Sequence, residues 1–372
     1  MTSIGFLSTF PPTRCGLATF TASLADAITQ SPEVTASIVR VMAVDEPSAA
    51  PGRGARPVAG HLMNGDPQSV RDAAAILNRS GVAIVQHEYG IYGGRDGAEV
   101  IGLLEQLTVP TIVVLHTVLA TPSAHQRVVL EAVCTHASFV VVMTQHARET
   151  LLATVPLPPR KVRVIPHGAR TPRTVSRTTA HRARPTLLTW GLISPGKGLE
   201  WSIRAVADLA ASGTFVDYVI AGQTHPKLVA QDGEAYRNSL IALVDRLGVS
   251  DQVAFVDRYL TPAALDGLIG AADAVVLPYE SADQATSGVL AEAVAARVPV
   301  VATGFPHAIE LLAGGAGIVV PHRDPSAIAD AVTKMLRRSS PPVAGGSDAT
   351  SWSNVGRAYL EIAGSLLAER AA

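Results

Sequence analysis

Residues Tyr279 to Thr303 read YESADQATSGVLAEAVAARVPVVAT. A polar segment that includes Gly288 leads into an alanine-rich run, and Pro299 then opens a short apolar run ending at Thr303. The order is turn, helix, strand. The closing strand is apolar throughout instead of alternating, the pattern of a strand covered on both faces. Strands of that kind separated by helices build a parallel sheet.

The same alternation extends backwards from this stretch. "PTLLTWGLI", "VDYVIAG", "QVAFVDRYL" and "AVVLPY" read as strands, with "LEWSIRAVADLAASG", "EAYRNSLIALVDRLGV" and "TPAALDGLIGAA" as the helices between them. An earlier series repeats the pattern. "SIGFLSTF" (Ser3 to Phe10) is a strand, followed by a loop through Cys15 and Gly16 and the helix "LATFTASLADAI". "ASIVRVMAV", "VAIVQHEYG", "PTIVVLHTV", "SFVVVMT" and "KVRVIPHG" are further strands, with helices at "PQSVRDAAAILNRSG" and "HQRVVLEAVCTHA". The periodicity therefore predicts an α/β chain of two Rossmann-like domains in tandem.

Between the two series, Gly168 to Pro185 is rich in Arg, Thr and Pro and has neither period. It reads as an interdomain linker whose five arginines (Arg170, Arg173, Arg177, Arg182, Arg184) could meet a phosphate, with a solvated basic linker the favoured account. The expected domains are 1–170, a linker over 171–184, 185–345, and a crossover helix within 346–372. That helix, around Trp352 to Glu369, follows a Pro/Gly/Ser-rich stretch (Ser339 to Ser347) and is expected to pack back toward the N-terminal domain.

Composition narrows the function classes. Of 372 residues, 48% are hydrophobic and 16% charged, which excludes a disordered chain. A net charge of -1 gives no bulk attraction to nucleic acid or anionic membrane, so an anionic ligand has to be held by local groups. Two cysteines, Cys15 and Cys134, make no disulfide framework, and a reducing cytoplasm is the expected setting. The apolar runs are too short to span a bilayer, which leaves a peripheral membrane contact open. No oligomeric state is indicated.

In parallel sheets the chemistry sits at the carboxyl ends of the strands, so two such sheets are expected to face each other across a central cleft. The loop "SPGKGLE" (Ser194 to Glu200) puts Lys197 between glycines at the start of a helix, where backbone N–H groups and an ammonium can meet phosphate oxygens. A surface lysine on an ordinary turn is the competing reading. The helix beginning near Thr286, Ser287 and Gly288 directs a second positive pole to the same edge. Glu292, one turn in, can accept from vicinal sugar hydroxyls, and Gln284 can both donate and accept. In the first half, Gly16, the loop His87 to Gly94 with Tyr89 and Tyr92, and His116 all follow strands, and the tyrosines could stack on a sugar or anchor the loop. No Asp-x-Asp pair and no closely spaced Cys/His set suggests a metal, and no cofactor is expected.

Taken in order, "FPPTRCGLATFT", "VIPHG", "WGLISPGKGLE" and "TSGVLAEAVAARVPVVAT" resemble the corresponding segments of retaining GT-B glycosyltransferases of family 4, over nearly the whole chain. The resemblance implies that Lys197 grips a donor diphosphate, that Glu292 binds the nucleotide ribose, and that the Ser287 and Gly288 amides serve the phosphates with Gly16 opposite. It implies His116 beside the transferred sugar and Arg258 with Tyr259 against the nucleotide base. Catalytic roles fall to Lys197, His116 and Glu292, and acceptor binding to His87, Tyr89, Tyr92 and His116. The family's first acid is Gln284 here, and its usual arginine is Leu192. The implied activity is transfer of a hexose, foremost mannose from GDP-mannose, to a saccharide or glycoconjugate hydroxyl without a metal. UDP-glucose or UDP-N-acetylglucosamine as donor, a phosphorylase, an epimerase and a donor-binding pseudoenzyme are the alternatives.

Overall fold

The computed structural model describes residues 1–43, 58–170, 183–337 and 349–371. Arg173, Arg177, Arg182 and the stretch Ser339 to Ser347 lie outside these residues. The chain divides into two compact units, Met1–Gly168 with Ala349–Ala372, and Ala169–Asp348. The division falls after Gly168 and not after Arg170, because Ala169 packs with Ala291 and Ala295 and the Arg170 guanidinium pairs with Asp266 at 3.1 Å. Arg184 likewise pairs with Asp251 at 3.1 Å. Both ends of the expected basic linker are thus tied by ion pairs within the second unit.

The first unit runs β1 (Thr2–Ser8), α1 (Gly16–Ile28), β2 (Val34–Met42), β3 (Val58–Met63), α2 (Pro67–Leu77), β4 (Val82–His87), α3 (Glu99–Leu104), β5 (Thr111–Leu115), α4 (Ala124–His136), β6 (Phe139–Val142), α5 (Gln145–Thr154) and β7 (Val162–Val164). Its sheet is ordered β3-β2-β1-β4-β5-β6-β7, and each neighbouring pair is parallel. Every residue of β4 and β5 is buried, as the unbroken apolar runs require. The connections reverse direction between β1 and β4, so loops diverge at the carboxyl ends of those strands and leave a crevice there.

The second unit continues with β8 (Thr186–Trp190), α6 (Leu199–Ala211), β9 (Asp217–Ala221), α7 (Pro226–Asp232), α8 (Ala235–Leu247), β10 (Val253–Val256), α9 (Pro262–Ala271), β11 (Ala274–Leu277), α10 (Gly288–Ala295), β12 (Val300–Thr303), α11 (Pro306–Leu312), β13 (Gly317–Val320) and α12 (Pro325–Leu336). The parallel sheet is ordered β10-β9-β8-β11-β12-β13, with its reversal between β8 and β11. Seven of these elements go beyond those read from the periodicity: β3, α3, α5, α7, α11, β13 and α12. Edge strand β3 is interrupted by Gly60 and half exposed, so it lacks the apolar run that marks the central strands. Helices α7 and α11 span 7 residues each, too few for a helical period to show.

The final helix, α13 (Trp352–Ala371), belongs to the first unit and packs on α1, as expected for a C-terminal crossover. Val355, Tyr359, Ile362, Ala363 and Leu366 form one face and join Phe20, Leu24 and Ile28 in a single apolar cluster. Gly356 brings the helices together, because a Cβ there would sit 3.0 Å from the Ala27 methyl. Among the described residues no helix is long and apolar enough to cross a membrane.

Tyr359 is 1% exposed, and among the described residues its hydroxyl has no hydrogen-bond partner. Tyr359→Ala should therefore cost about 3–5 kcal/mol in urea unfolding of the first unit, through loss of a large buried ring. Tyr359→Phe should be neutral or stabilising, since it removes an unsatisfied hydroxyl. A destabilised Phe variant would show that the hydroxyl is satisfied in solution.

Candidate functional site

The carboxyl edge of the second sheet is drawn together by close backbone approaches. Gly222, directly after β9, has φ 147°, and a Cβ there would overlap the Gly191 carbonyl after β8. Gly198, which opens α6, has φ 66°, and a Cβ there would overlap the Pro278 carbonyl after β11. Only glycine permits both contacts. Lys197 directly precedes Gly198 and shares a small crevice of about 10 Å³ with Thr189, Trp190, Gly191 and Leu192. Its ammonium lies 4.2 Å from the centroid of the buried Tyr279 ring, which in turn stacks on Phe305 at 5.1 Å. The Glu280 amide donates to the Gly196 carbonyl at 2.9 Å and closes the turn against β11.

The start of α10 reaches the same place, since the nearest atom to a Cβ on Gly191 would be a Val289 methyl at 3.7 Å. The Ser287 hydroxyl caps the helix by accepting the Leu290 N–H at 3.2 Å. The Ser287 N–H donates to His307 Nδ1 at 2.8 Å inside the protein. This corrects the role expected for Ser287, because its amide is already engaged. The first-turn amides of Gly288 and Val289 have no intrahelical acceptor. Thr286 is half-buried, and the Gln284 side-chain amide donates to its carbonyl at 2.7 Å, bracing the loop ahead of the helix.

Glu292 lies one turn into α10 with a side chain 21% exposed. Burial raises its pKa, while the Arg170 guanidinium 3.9 Å away and a hydrogen bond with Trp190 oppose the shift and neighbouring Asp266 adds to it. Arg170 lies between Glu292, at 3.9 Å, and Asp266, at 3.1 Å. Arg258 and Tyr259 are exposed beyond the edge strand β10, with β9 between them and the strand that carries Lys197. Buried Arg237 links the loops on this side, donating to the Gly222 carbonyl at 2.7 Å and pairing with Asp257 at 2.8 Å. No sequence signal marked it, since it sits on a helix like any surface arginine.

In the first unit, Gly16 begins α1 behind Cys15, whose sulfur accepts the Ala18 N–H at 3.4 Å. A Cβ on Gly16 would meet nothing within 4 Å among the described residues, so the space before this helix is open. His116 Nε2 lies 2.7 Å from Gln86 Oε1, and its ring is edge-on to Phe20 at 4.8 Å. Phe20 also meets His167 at 5.0 Å and Trp352 at 5.1 Å, so α13 supplies part of the wall around the histidine. Burial, with smaller repulsions from His167 and His87, lowers the His116 pKa to about 3. The ring is neutral near pH 7.

The structure does not support the acceptor roles expected for His87 and Tyr92. His87 is 0% exposed and its pKa is lowered by burial to about 4. Tyr92 is buried, and its hydroxyl donates to the Gln86 carbonyl at 2.6 Å, which makes it an anchor for the loop. Successive residues of β4 point to opposite faces, so Gln86 turns toward His116 and His87 turns under the other layer. Tyr89 is half-buried with its ring edge-on to His87 at 5.1 Å. Burial, then repulsion from Glu88, raises its pKa to about 12. Among the described residues no group of three or more His, Cys, Asp or Glu side chains could hold a metal ion.

Residues 184–338, all within the second unit, match the family model described as Glycosyl transferases group 1. An alpha-D-kanosaminyltransferase of Streptomyces kanamyceticus is 30% identical over 211 residues, 54% of this chain and 51% of that protein. The chain thus spans about half the length of this curated relative. A glycosyltransferase from Rickettsia africae has the same fold with a TM-score of 0.74 at 13% identity, over 98% of this chain and 99% of that one. HepE from Anabaena, solved in complex with UDP and glucose, scores 0.69 at 15% identity, over 100% of this chain and 98% of that one. These likenesses carry the architecture, two parallel sheets with helices in the GT-B manner.

Three buried histidines, His87, His116 and His167, have pKa values lowered to about 4, 3 and 4 from 6.5, with burial as the leading cause. The unfolded chain then binds protons that the folded chain refuses between pH 6.5 and 4, so stability should fall as pH falls through that window. Near pH 5, unfolding should take up about three protons from these groups, and about one fewer in His87→Phe. Calorimetric unfolding at several pH values checks this, and a stability unchanged from pH 7 to 4.5 would contradict it.

Proposed function

We propose that this protein is a retaining glycosyltransferase of family 4 that moves a hexose from a nucleotide sugar to a hydroxyl of a saccharide or glycoconjugate. The observation that carries this reading lies within the second unit. Lys197, beside Gly191, and the first turn of α10, which meets Gly191 through Val289, adjoin each other at the reversal between β8 and β11, with Glu292 one turn further along. An ammonium and first-turn helix amides without intrahelical acceptors, adjoining each other at the strand ends, are suited to a diphosphate. A carboxylate held nearby by Arg170 is suited to the vicinal hydroxyls of a ribose.

The chemistry follows from where charge develops. As the bond from the anomeric carbon to the diphosphate loosens, negative charge grows on the leaving oxygens, and Lys197 with the α10 amides stabilises it more strongly than in the ground state. The acceptor hydroxyl attacks from the same face as the departing diphosphate and passes its proton to it. No side-chain base is needed, which accords with a His116 ring kept neutral and bound to Gln86. In this reading the metal's usual task falls to Lys197 and the helix.

The leading donor is GDP-mannose, from the sequence resemblance. The second reading is a UDP-hexose, and its support is the shared fold of HepE, a protein solved with UDP and glucose. Leu192 lines the cleft beside Lys197 where an arginine is usual in the family, so Lys197 carries a larger share of the diphosphate's charge.

Lys197→Ala should lower kcat by at least ~100-fold, the size of a lost transition-state donor, with little change in thermal stability. Near-normal transfer in that variant would refute the assignment. In thermal-shift measurements GDP should raise the melting temperature, since a ligand that binds only the folded state stabilises it. A shift with UDP and none with GDP would move the donor to a UDP-hexose. Nucleotide-sugar binding without turnover on any acceptor or water would make the chain a donor-binding pseudoenzyme.

A further inference from the structure

The two positive features of the candidate site are braced by one short segment of chain. Directly after β12, Phe305 stacks on Tyr279, the ring that carries the Lys197 ammonium. Two residues later, His307 accepts the Ser287 N–H through Nδ1 at 2.8 Å. Both Ser287 and His307 are 5% exposed. Ser287 is therefore held from two sides: its hydroxyl is committed to the Leu290 amide and its own amide to the imidazole. With both groups fixed, the direction in which α10 emerges is set relative to Phe305, and through Tyr279 relative to Lys197.

The identity of the acceptor also matters. A backbone N–H can only donate, so His307 Nδ1 must carry its lone pair and the ring proton must sit on Nε2. A carboxylate would accept the same hydrogen bond more strongly, but it would place a negative charge beside amides that face an anion. A neutral imidazole caps the amide without that repulsion.

We infer that His307 is a positioning residue for the donor diphosphate, fixing Ser287 so that the Gly288 and Val289 amides and Lys197 converge on one anion. The inference rests on the nucleotide-sugar reading of the site. It assigns His307 no contact with substrate.

The test is calorimetric binding of UDP and of GDP to the full chain, paired with thermal unfolding, for the wild type and four variants. His307→Asn keeps an acceptor at the Nδ1 position and should bind within about threefold of wild type, whereas His307→Leu removes it and should weaken binding roughly tenfold, the scale of a partly buried helix-terminus interaction with an anion. His307→Asp should fold and cap but also bind roughly tenfold more weakly, because its charge opposes the ligand. His307→Gln, whose amide reaches the Nε2 position instead, should resemble the Leu variant and replaces it should the latter fail to fold. A nitrogen-15 spectrum of the wild type should show His307 as the Nε2–H tautomer.

Wild-type binding with an unaltered Leu or Gln variant overturns the inference alone, as does an Asn variant as weak as these or an Nδ1–H tautomer. A wild-type chain that binds neither nucleotide overturns the donor reading and this inference together.

Discussion

Close contact between backbones at the carboxyl edge of the second sheet sets the geometry on which the rest of the site depends. Gly222 abuts the Gly191 carbonyl and Gly198 abuts the Pro278 carbonyl, so the chain after β8 is held between its neighbours after β9 and β11 with no room for a side chain. Lys197 precedes Gly198 and inherits its position from that contact. Gly191 meets Val289 and so brings the first turn of α10 alongside. Buried Arg237 reinforces the arrangement by holding the Gly222 carbonyl and Asp257 at once. Lys197 and the first-turn amides of α10 are therefore placed by main-chain packing.

Burial then decides the protonation of the groups around each edge, and it acts differently in the two units. In the first unit it lowers the pKa values of His87, His116 and His167, and among the described residues no carboxylate opposes the shift. His116 is left as a neutral hydrogen-bonding ring paired with Gln86, suited to orienting a ligand and not to moving a proton. In the second unit burial raises Glu292, but the Arg170 guanidinium and the Trp190 hydrogen bond oppose it. The contrast is one of pairing: a counter-charge built beside Glu292 offsets part of the desolvation that still raises its pKa.

Much of the fold was legible because its strands are apolar on both faces. β4, β5, β11 and β12 are buried along their whole length, and such runs can be read without knowing what covers them. β3 and β13, at the sheet edges and partly exposed, and the 7-residue helices α7 and α11 carry too little pattern to be read the same way. The Lys197 loop and the α10 start were legible for a local reason: glycines, a capping serine and a lysine lie within a few residues of the strand ends they follow. His87 and Tyr92 misled because position after a strand says nothing about which face a side chain takes. β4 turns His87 inward, and Gln86 accepts the Tyr92 hydroxyl.

The sequence by itself determined the alternation of strands and helices, the tandem of two parallel α/β halves, and the loops at which charge gathers, since each is written in neighbouring residues. Only the tertiary structure decided that Arg170 belongs to Glu292 and Asp266, that Ser287 is held by His307, and that α13 walls the His116 cluster. Those partners are distant along the chain: Arg170 and Asp266 are 96 positions apart and Ser287 and His307 are 20 apart. Hydrogen bonds and ion pairs depend on distances of about 3 Å, and separation along the sequence carries no information about such distances until the sheets have formed.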